Sequence, residues 1–371
     1  MKVLHFYRTY LPDTMGGTEQ VINQLARSTK NLGIETQVLS LSAERAPQTL
    51  DLHGHIVHRV RRNVEIASTS MSLSAFRRFS ELASRVDIVH YHFPWPFMDL
   101  VHFVSRIRKP SIVTYHSDII RQKHLLKLYR PLKQRFLASV DHIVATSPNY
   151  LETSPTLKKY SGKVSVIPIG LDKSTYAVPT KAVLARWKAV FGERFFLFIG
   201  VLRYYKGLHL LVEAAKNFDG PIVIAGAGPI EKDLRKRTSA LGLKNITFLG
   251  HVSEEDKVAL LQLCYAVVFP SHLRAEAFGI TLLEGAMFGK PMISSEIGTG
   301  TTYININRDT GVVVPPGDVS ALHQAMQYLW DNPEEASRMG QRAEVRYWQY
   351  FTAEKMARSY AALYRRLVRH D

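Results

Sequence analysis

What most constrains this chain is a rhythm, in which short β-branched and aromatic runs alternate with helix-length stretches from one end to the other. KVLHFY (2–7), TQVLSL (36–41), HIVHRV (55–60), DIVHYH (87–92), SIVTYH (111–116), HIVAT (142–146) and VSVIP (164–168) form a first series. FFLFIG (195–200), PIVIAG (221–226), ITFLG (246–250), AVVFP (266–270), PMISS (291–295) and GVVVP (311–315) form a second. Such runs read as strands. Strands separated by helix-length segments pair in parallel through crossover helices. Two series within 371 residues predict an α/β chain of two doubly wound, Rossmann-like domains facing a central cleft. In that architecture ligands bind outside the carboxyl ends of the strands.

The first series ends near Ile169-Gly170 and the second begins at Phe195. The expected division is therefore a domain over 1–170, a linker over 171–194 and a domain over 195–351. The remainder, 352–371, reads as a helix with Thr352 as N-cap and Arg365, Arg366 and Arg369 near its end.

Net charge is +16, and it is concentrated early: residues 1 to 170 hold 23 Lys/Arg against 12 Asp/Glu, residues 171 to 371 hold 25 against 20. An excess of that size implies an acidic partner. Between Asp118 and Asp141 six Lys/Arg and no acidic residue interleave with Leu125, Leu126, Leu128, Leu132, Phe136 and Leu137, the pattern of a basic amphipathic helix suited to anionic lipid. No segment approaches 18 uncharged apolar residues, so the expectation is a soluble or peripheral protein. A nucleic-acid binder would need basic residues interleaved with aromatics on a recognisable module, and none is seen. Cys264, the single cysteine, lies in the apolar run LCYAVVF; it excludes an internal disulfide and favours a reducing compartment.

The segment EAFGITLLE places Glu276 and Glu284 eight positions apart around Gly279. With a helix starting near Gly279, Glu276 lies in the preceding loop and Glu284 in the second turn. The amides of Phe278, Gly279, Ile280, Thr281 and Leu282 then point out of the helix start, which suits an anion. A carboxylate on either side of an anion site suits a ligand with phosphate at its centre and hydroxyls at both ends, as in a nucleotide sugar.

Other strand exits carry related chemistry. Gly16 and Gly17 precede a helical pattern after the first strand, which permits close backbone approach to a ligand. They lack the spacing of a dinucleotide fingerprint or a P-loop. In FIGVLRYYKGL, Arg203 and Lys206 follow a strand and can neutralise a diphosphate. Gly226 in IAGAGP marks another tight strand exit, and TYHSD sets His116 at a strand end facing the expected cleft. No Asp-x-Asp occurs, so a carboxylate-held divalent ion is not indicated, and no histidine spacing suggests zinc.

In this order the motifs MGGTE (15–19), YHSD (115–118), VIPIGLD (166–172), FIGVLRYYKG (198–207), IAGAGP (224–229), EAFGITLLEGAMFGKP (276–291) and TGVVVPPGD (310–318) resemble the retaining glycosyltransferases of family 4, over essentially the full length. The resemblance implies the GT-B fold, with an N-terminal acceptor domain, a C-terminal nucleotide-sugar domain and a final helix that returns to the first. More narrowly, HFYRTYLPDTMGGTEQVI, LRYYKGL, SHLRAEAFGI and GTGTTYIN look like mannosyl- and rhamnosyltransferases of bacterial O-antigen and polysaccharide assembly.

Carried over by motif, Glu276 would contact the donor sugar's hydroxyls and Glu284 the ribose. Arg203 and Lys206 would hold the diphosphate, His116 would face the sugar near the reacting carbon, and Gly16-Gly17 would close over the phosphates. Val201 stands where the family commonly has arginine, so Arg203 would act from two residues along. The resemblance implies no cofactor and no metal, a GDP-sugar as co-substrate, a lipid-linked glycan acceptor, and a cytoplasmic location on the anionic face of the inner membrane. A UDP-sugar donor and a nucleotide-sugar epimerase on the same fold are the alternatives.

Overall fold

The structure, a computed structural model, describes residues 1–44, 48–66, 69–119 and 123–369, without the side chains of Gln48 and residues 123–126. Two compact units divide it: Met1–Leu171 with Thr352–Asp371, and Asp172–Phe351.

The first unit is built on β1 (Lys2–Phe6), β2 (Glu35–Ser42), β3 (Gln48–Leu52), β4 (His55–Arg61), β7 (Ile88–Phe93), β8 (Ser111–Tyr115), β9 (His142–Ala145) and β10 (Val164–Val166), with a side hairpin of β5 (Val64–Ile66) and β6 (Thr69–Met71). Its eight-stranded sheet runs β10-β9-β8-β7-β1-β2-β4-β3. Only the β3–β4 pair is antiparallel. β7 and β8 are buried at every position, as expected for central parallel strands covered on both faces. The seven runs of the first series all became strands. The short β3, β5 and β6 were not anticipated: in QTLDL only Leu50 and Leu52 alternate with polar residues, and it is their pairing with β4 and packing on the core of the first unit that make them a strand.

The second unit holds β11 (Phe196–Ile199), β12 (Ile222–Ala225), β13 (Ile246–Gly250), β14 (Ala266–Phe269), β15 (Met292–Ser295) and β16 (Gly311–Val314). They form one parallel sheet in the order β13-β12-β11-β14-β15-β16, which reads three-two-one-four-five-six and is a doubly wound Rossmann order. Strand order reverses between β11 and β14.

The expected linker over 171–194 is not a free connection. From Asp172 it belongs to the second unit, and the helix Lys181–Phe191 packs on the helix Glu254–Leu263. Trp187 donates its indole N–H to Asp256 at 2.8 Å and stacks on Phe191, so the tether is specific.

The helix Ala353–Val368 returns to the first unit, capped by the Thr352 hydroxyl as expected, and packs on the helix Gly17–Lys30. Its entry is pinned where the Ala353 amide donates to the Leu171 carbonyl at 2.9 Å. Gly170 sits directly beneath: a Cβ there would stand 2.2 Å from the Thr352 carbonyl oxygen, inside any tolerable contact. Gly170→Ala should therefore lift the helix entry and destabilise the first unit by about 1–3 kcal/mol, the usual penalty of overpacking. Calorimetry should show the lower melting temperature; an unchanged melt would mean that the chain there can shift at no cost.

Candidate active site

In the second unit, the side chains expected at the donor site gather where the strand order reverses. The turn Tyr204–Lys206 follows β11, and the loop that carries Glu276 follows β14. The two loops touch. Gly207 has φ of +73° and a Cβ on it would meet the Pro270 carbonyl oxygen at 2.0 Å, so only glycine lets Lys206 come this close to the neighbouring loop. Across this junction Lys206 and Glu276 form an ion pair, with side chains 12% and 11% exposed, and the ammonium lies 4.5 Å from the Phe269 ring centroid.

The helix Ile280–Met287 begins at Gly279, whose φ of +93° sits in the left-handed region, with no side chain capping the start. The Thr281 hydroxyl donates to the Ile199 carbonyl at 2.9 Å, which fastens the helix to the end of β11. Among the five amides expected to face an anion, that of Leu282 turns back to the Gly279 carbonyl at 3.0 Å and is not available. The amides of Phe278, Gly279, Ile280 and Thr281 have no partner among the described residues. The side chains of Phe278 and Leu282 are core; what Phe278 can offer a ligand is backbone.

Glu284 is 3% exposed, in the second turn as expected. One of its oxygens accepts from the Tyr176 hydroxyl at 3.0 Å and from the Lys257 ammonium at 3.2 Å. Burial pulls the pKa of Lys257 down, but the Glu284 and Glu254 carboxylates more than offset this and hold it above its usual value. The other Glu284 oxygen has no partner among the described residues, and the same holds for the Glu276 oxygen that Lys206 does not take. Both glutamates are thus buried, charge-balanced and still able to accept. Tyr176 and Lys257 were not anticipated: they lie far from the motif in sequence, and no periodicity marks them.

Arg203 is exposed at the start of the turn, beside an exposed Val201. Gly226, with φ of +136°, is pressed against Gly200: a Cβ would stand 2.1 Å from the Gly200 carbonyl oxygen. Packing of two strand exits therefore requires this glycine whether or not a ligand lies over it.

In the first unit, Gly16 caps the helix Gly17–Lys30 in extended conformation. The loop between β1 and that helix is held by Glu19, which accepts from the Thr9 hydroxyl at 2.7 Å and the Thr14 hydroxyl at 3.0 Å. Asp13 is anchored by the buried Arg59, which also reaches Glu44 at 3.2 Å. Glu19 stands within MGGTE, and its loop-ordering role was not legible from the glycines.

His116, half-buried just after β8, has company that its motif did not disclose. His5 on β1, and His90 and His92 on β7, stand on the same sheet face, fully or almost fully buried. Nitrogens of His5, His90 and His92 lie within 4.8 Å of one another, close enough for metal ligands. Their hydrogen bonds are already made, however: His90 meets Tyr364 and Thr114, each at 2.7 Å, and His5 and His92 meet each other at 2.9 Å. Burial drives His116 down to about 4 and His5 to about 3, and holds His90 and His92 well below the usual imidazole value.

A model of glycosyl transferases group 1 matches residues 184–346, and a model of glycosyltransferase family 4 matches residues 15–175. The chain is 60% identical to the D-rhamnosyltransferase WbpZ of Pseudomonas aeruginosa over 95% of its own length and 93% of the relative's. This chain is a family 4 glycosyltransferase. It is also 49% identical to O-antigen chain mannosyltransferase C of Escherichia coli, over 99% of both chains. Among solved structures, sucrose-phosphate synthase of Thermosynechococcus elongatus superposes with a TM-score of 0.80 at 20% identity over the whole of both chains. Anabaena HepE in complex with UDP superposes with a TM-score of 0.74 at 18% identity, over 98% of this chain and 99% of that one. The fold of this glycosyltransferase is GT-B.

The depressed histidines make its stability depend on pH. A native imidazole whose pKa is near 4, against about 6.5 when unfolded, refuses protons that the unfolded chain accepts between those values. Stability is then complete above pH 6.5 and falls as the pH is lowered. His55, His58, His102 and His142, also held near 4 chiefly by burial, add to this in the same unit. The melting temperature of the first unit should fall steadily from pH 7 to pH 4.5. A flat profile over that range would contradict the burial of these rings.

Proposed function

We propose that this glycosyltransferase is retaining and metal-independent, and moves D-rhamnose or mannose from a GDP-sugar to a hydroxyl of a lipid-linked or lipopolysaccharide glycan. The observation that carries the reading is the buried Lys206–Glu276 pair beside an uncapped helix start at the strand-order reversal of the second unit. The choice of sugar is supported by the two relatives named for D-rhamnosyl and O-antigen mannosyl transfer.

In this reading Lys206, Arg203 and the free amides of residues 278–281 neutralise the diphosphate, each charge-assisted contact being worth roughly 1.5–3 kcal/mol. Glu284 accepts from the ribose through its unoccupied oxygen. The bond between the sugar's anomeric carbon and the phosphate oxygen breaks, the acceptor hydroxyl oxygen bonds to that carbon on the same face, and its proton passes to the departing diphosphate. Glu276 accepts from sugar hydroxyls as the ring gains positive character, and His116 lies near the reacting carbon. Positioning and charge stabilisation then supply the rate.

The pairing of Glu276 with Lys206 sharpens the test. Glu276→Gln removes stabilisation that grows toward the transition state while unmasking a phosphate-binding cation. It should lower kcat at least about tenfold and leave GDP affinity unchanged or tighter. Glu284→Ala should weaken GDP about ten- to a hundredfold through the lost charge-assisted bond. Transfer from GDP-D-rhamnose and GDP-mannose, assayed with EDTA present, together with GDP titrations, measures both. Loss of GDP affinity in Glu276→Gln with kcat retained would reverse the assignment, and activity only with UDP-sugars would refute the donor.

Peripheral membrane binding is part of the same reading. No helix among the described residues is long and apolar enough to cross a membrane. Of the expected apolar stripe, Phe136 and Leu137 are core residues of the first unit, a correction to a wholly lipid-facing helix, and Leu125 and Leu126 have side chains outside the described residues. Leu128 on the helix Lys123–Ser139 is 81% exposed, and the adjoining helix Pro96–Val104 exposes Val104, Leu100 and Phe103. Arg106, Arg108, Lys109, Lys127 and Arg130 accompany this patch in sequence. Flotation should recover the protein with anionic vesicles in preference to neutral ones at low salt, and Leu128→Glu should reduce recovery. Equal recovery with both vesicle types would count against it.

A further inference from the structure

The three strands β1, β7 and β8 are neighbours, and their register brings a file of imidazoles to the strand ends of the first unit. His5 Nδ1 lies 2.9 Å from His92 Nε2, and His92 Nδ1 lies 2.9 Å from His116 Nε2. Successive rings are nearly parallel, 20° and 21° apart, with centroids 5.2 Å apart in both steps. His90 stacks on His92 at 4.4 Å and is itself held at both nitrogens by Tyr364 and Thr114, whose hydroxyl also meets that of Tyr360 at 2.7 Å. The returning C-terminal helix therefore clamps the ring against which His92 is oriented.

We propose that His5 and His92 are positioning residues that fix the tautomer of His116, so that it presents a neutral Nδ1–H donor outward to an oxygen of the bound sugar. The inference rests on the reading of His116 as facing the donor sugar. Each neutral imidazole has one N–H and one lone pair, so a file of three can run in only two directions. Running outward, His5 Nδ1–H donates to His92 Nε2 and His92 Nδ1–H donates to His116 Nε2, which leaves the proton of His116 on Nδ1. Running inward, the last N–H falls on His5 Nε2, for which no described residue offers an acceptor. His5 is only 1% exposed, and an N–H without an acceptor there is costlier than an unused lone pair, so the outward direction is preferred. Neutrality of the rings keeps the file intact: a protonated imidazole is a donor at both nitrogens and would break it. His116 Nδ1 has no partner among the described residues, which leaves the donor available. The alternative use of His5, His90 and His92 as metal ligands would require His90 to give up a bond to Tyr364 or Thr114, and His5 and His92 to give up theirs to each other.

The test uses the full-length enzyme labelled with 15N-histidine, with His116 assigned by its loss in His116→Ala. Wild-type His116 should show the Nδ1–H tautomer. His92→Phe should release it toward Nε2–H and lower kcat about tenfold, the size of one neutral hydrogen bond, with donor KM little changed. His92→Asn places an amide donor where Nδ1 stood and should restore both tautomer and kcat. His92→Gln places its amide where Nε2 stood, toward His5, and should restore neither; a purely structural role for the ring would treat the two amides alike. A wild-type His116 protonated on Nε2, or an unaltered tautomer in a folded His92→Phe, overturns the proposal, as does a Zn2+-dependent rise in melting temperature that His90→Asn removes. A shifted tautomer with kcat unchanged would uphold the relay while removing His116 from the sugar, which separates failure of the inference from failure of the reading beneath it.

Discussion

Parallel strand pairing is the constraint on which everything else in this enzyme depends. A parallel ladder needs a crossover for each strand. Every strand then delivers its carboxyl end to the same edge, and every loop that follows a strand opens there. In the second unit, β11 and β14 send their crossovers in opposite directions, so their exits are the two loops free to meet. Lys206 and Glu276, 70 residues apart, become an ion pair for that reason.

A buried ion pair is poor evidence for stability, because desolvation offsets much of its attraction. Its presence at a strand-order reversal, where one carboxylate oxygen and four backbone amides have no partner among the described residues, fits the donor site proposed for it, with its charges held in balance. Glu284 follows the same logic one turn further on, where one of its oxygens is shared between Tyr176 and Lys257 and the other has no partner among the described residues. In the first unit the edge is organised differently. Its loop after β1 is tied by Glu19 and Arg59, and its strand ends carry neutral imidazoles instead of charges.

Much of this was legible in the chain. The thirteen runs each became a strand: β-branched and aromatic residues mark a strand locally, and the central ones, such as β7 and β8, are buried on both faces and need no partner-specific signal. Gly279 at the helix start and Thr352 at the final cap were readable, since both effects are local. What was misread depended on distant partners. QTLDL pairs only because β4 lies beside it, and residues 172–194 dock because Asp256 waits for Trp187. Phe136 and Leu137 look lipid-facing in a helical wheel yet are core, because the sheet of their own unit lies beneath them.

The sequence by itself determined the two parallel sheets, the helix start between two glutamates and the family to which the chain belongs, because periodicity, turn chemistry and motif order are properties of neighbours along the chain. Only the tertiary structure decided the state of the site residues. That Glu276 is neutralised by Lys206 and that His116 ends a file reaching back through His92 to His5 follow from strand order and register, which bring together residues far apart in the sequence. Charge balance and tautomer are set by such contacts, and a contact between strands has no signature until the strands have chosen their neighbours.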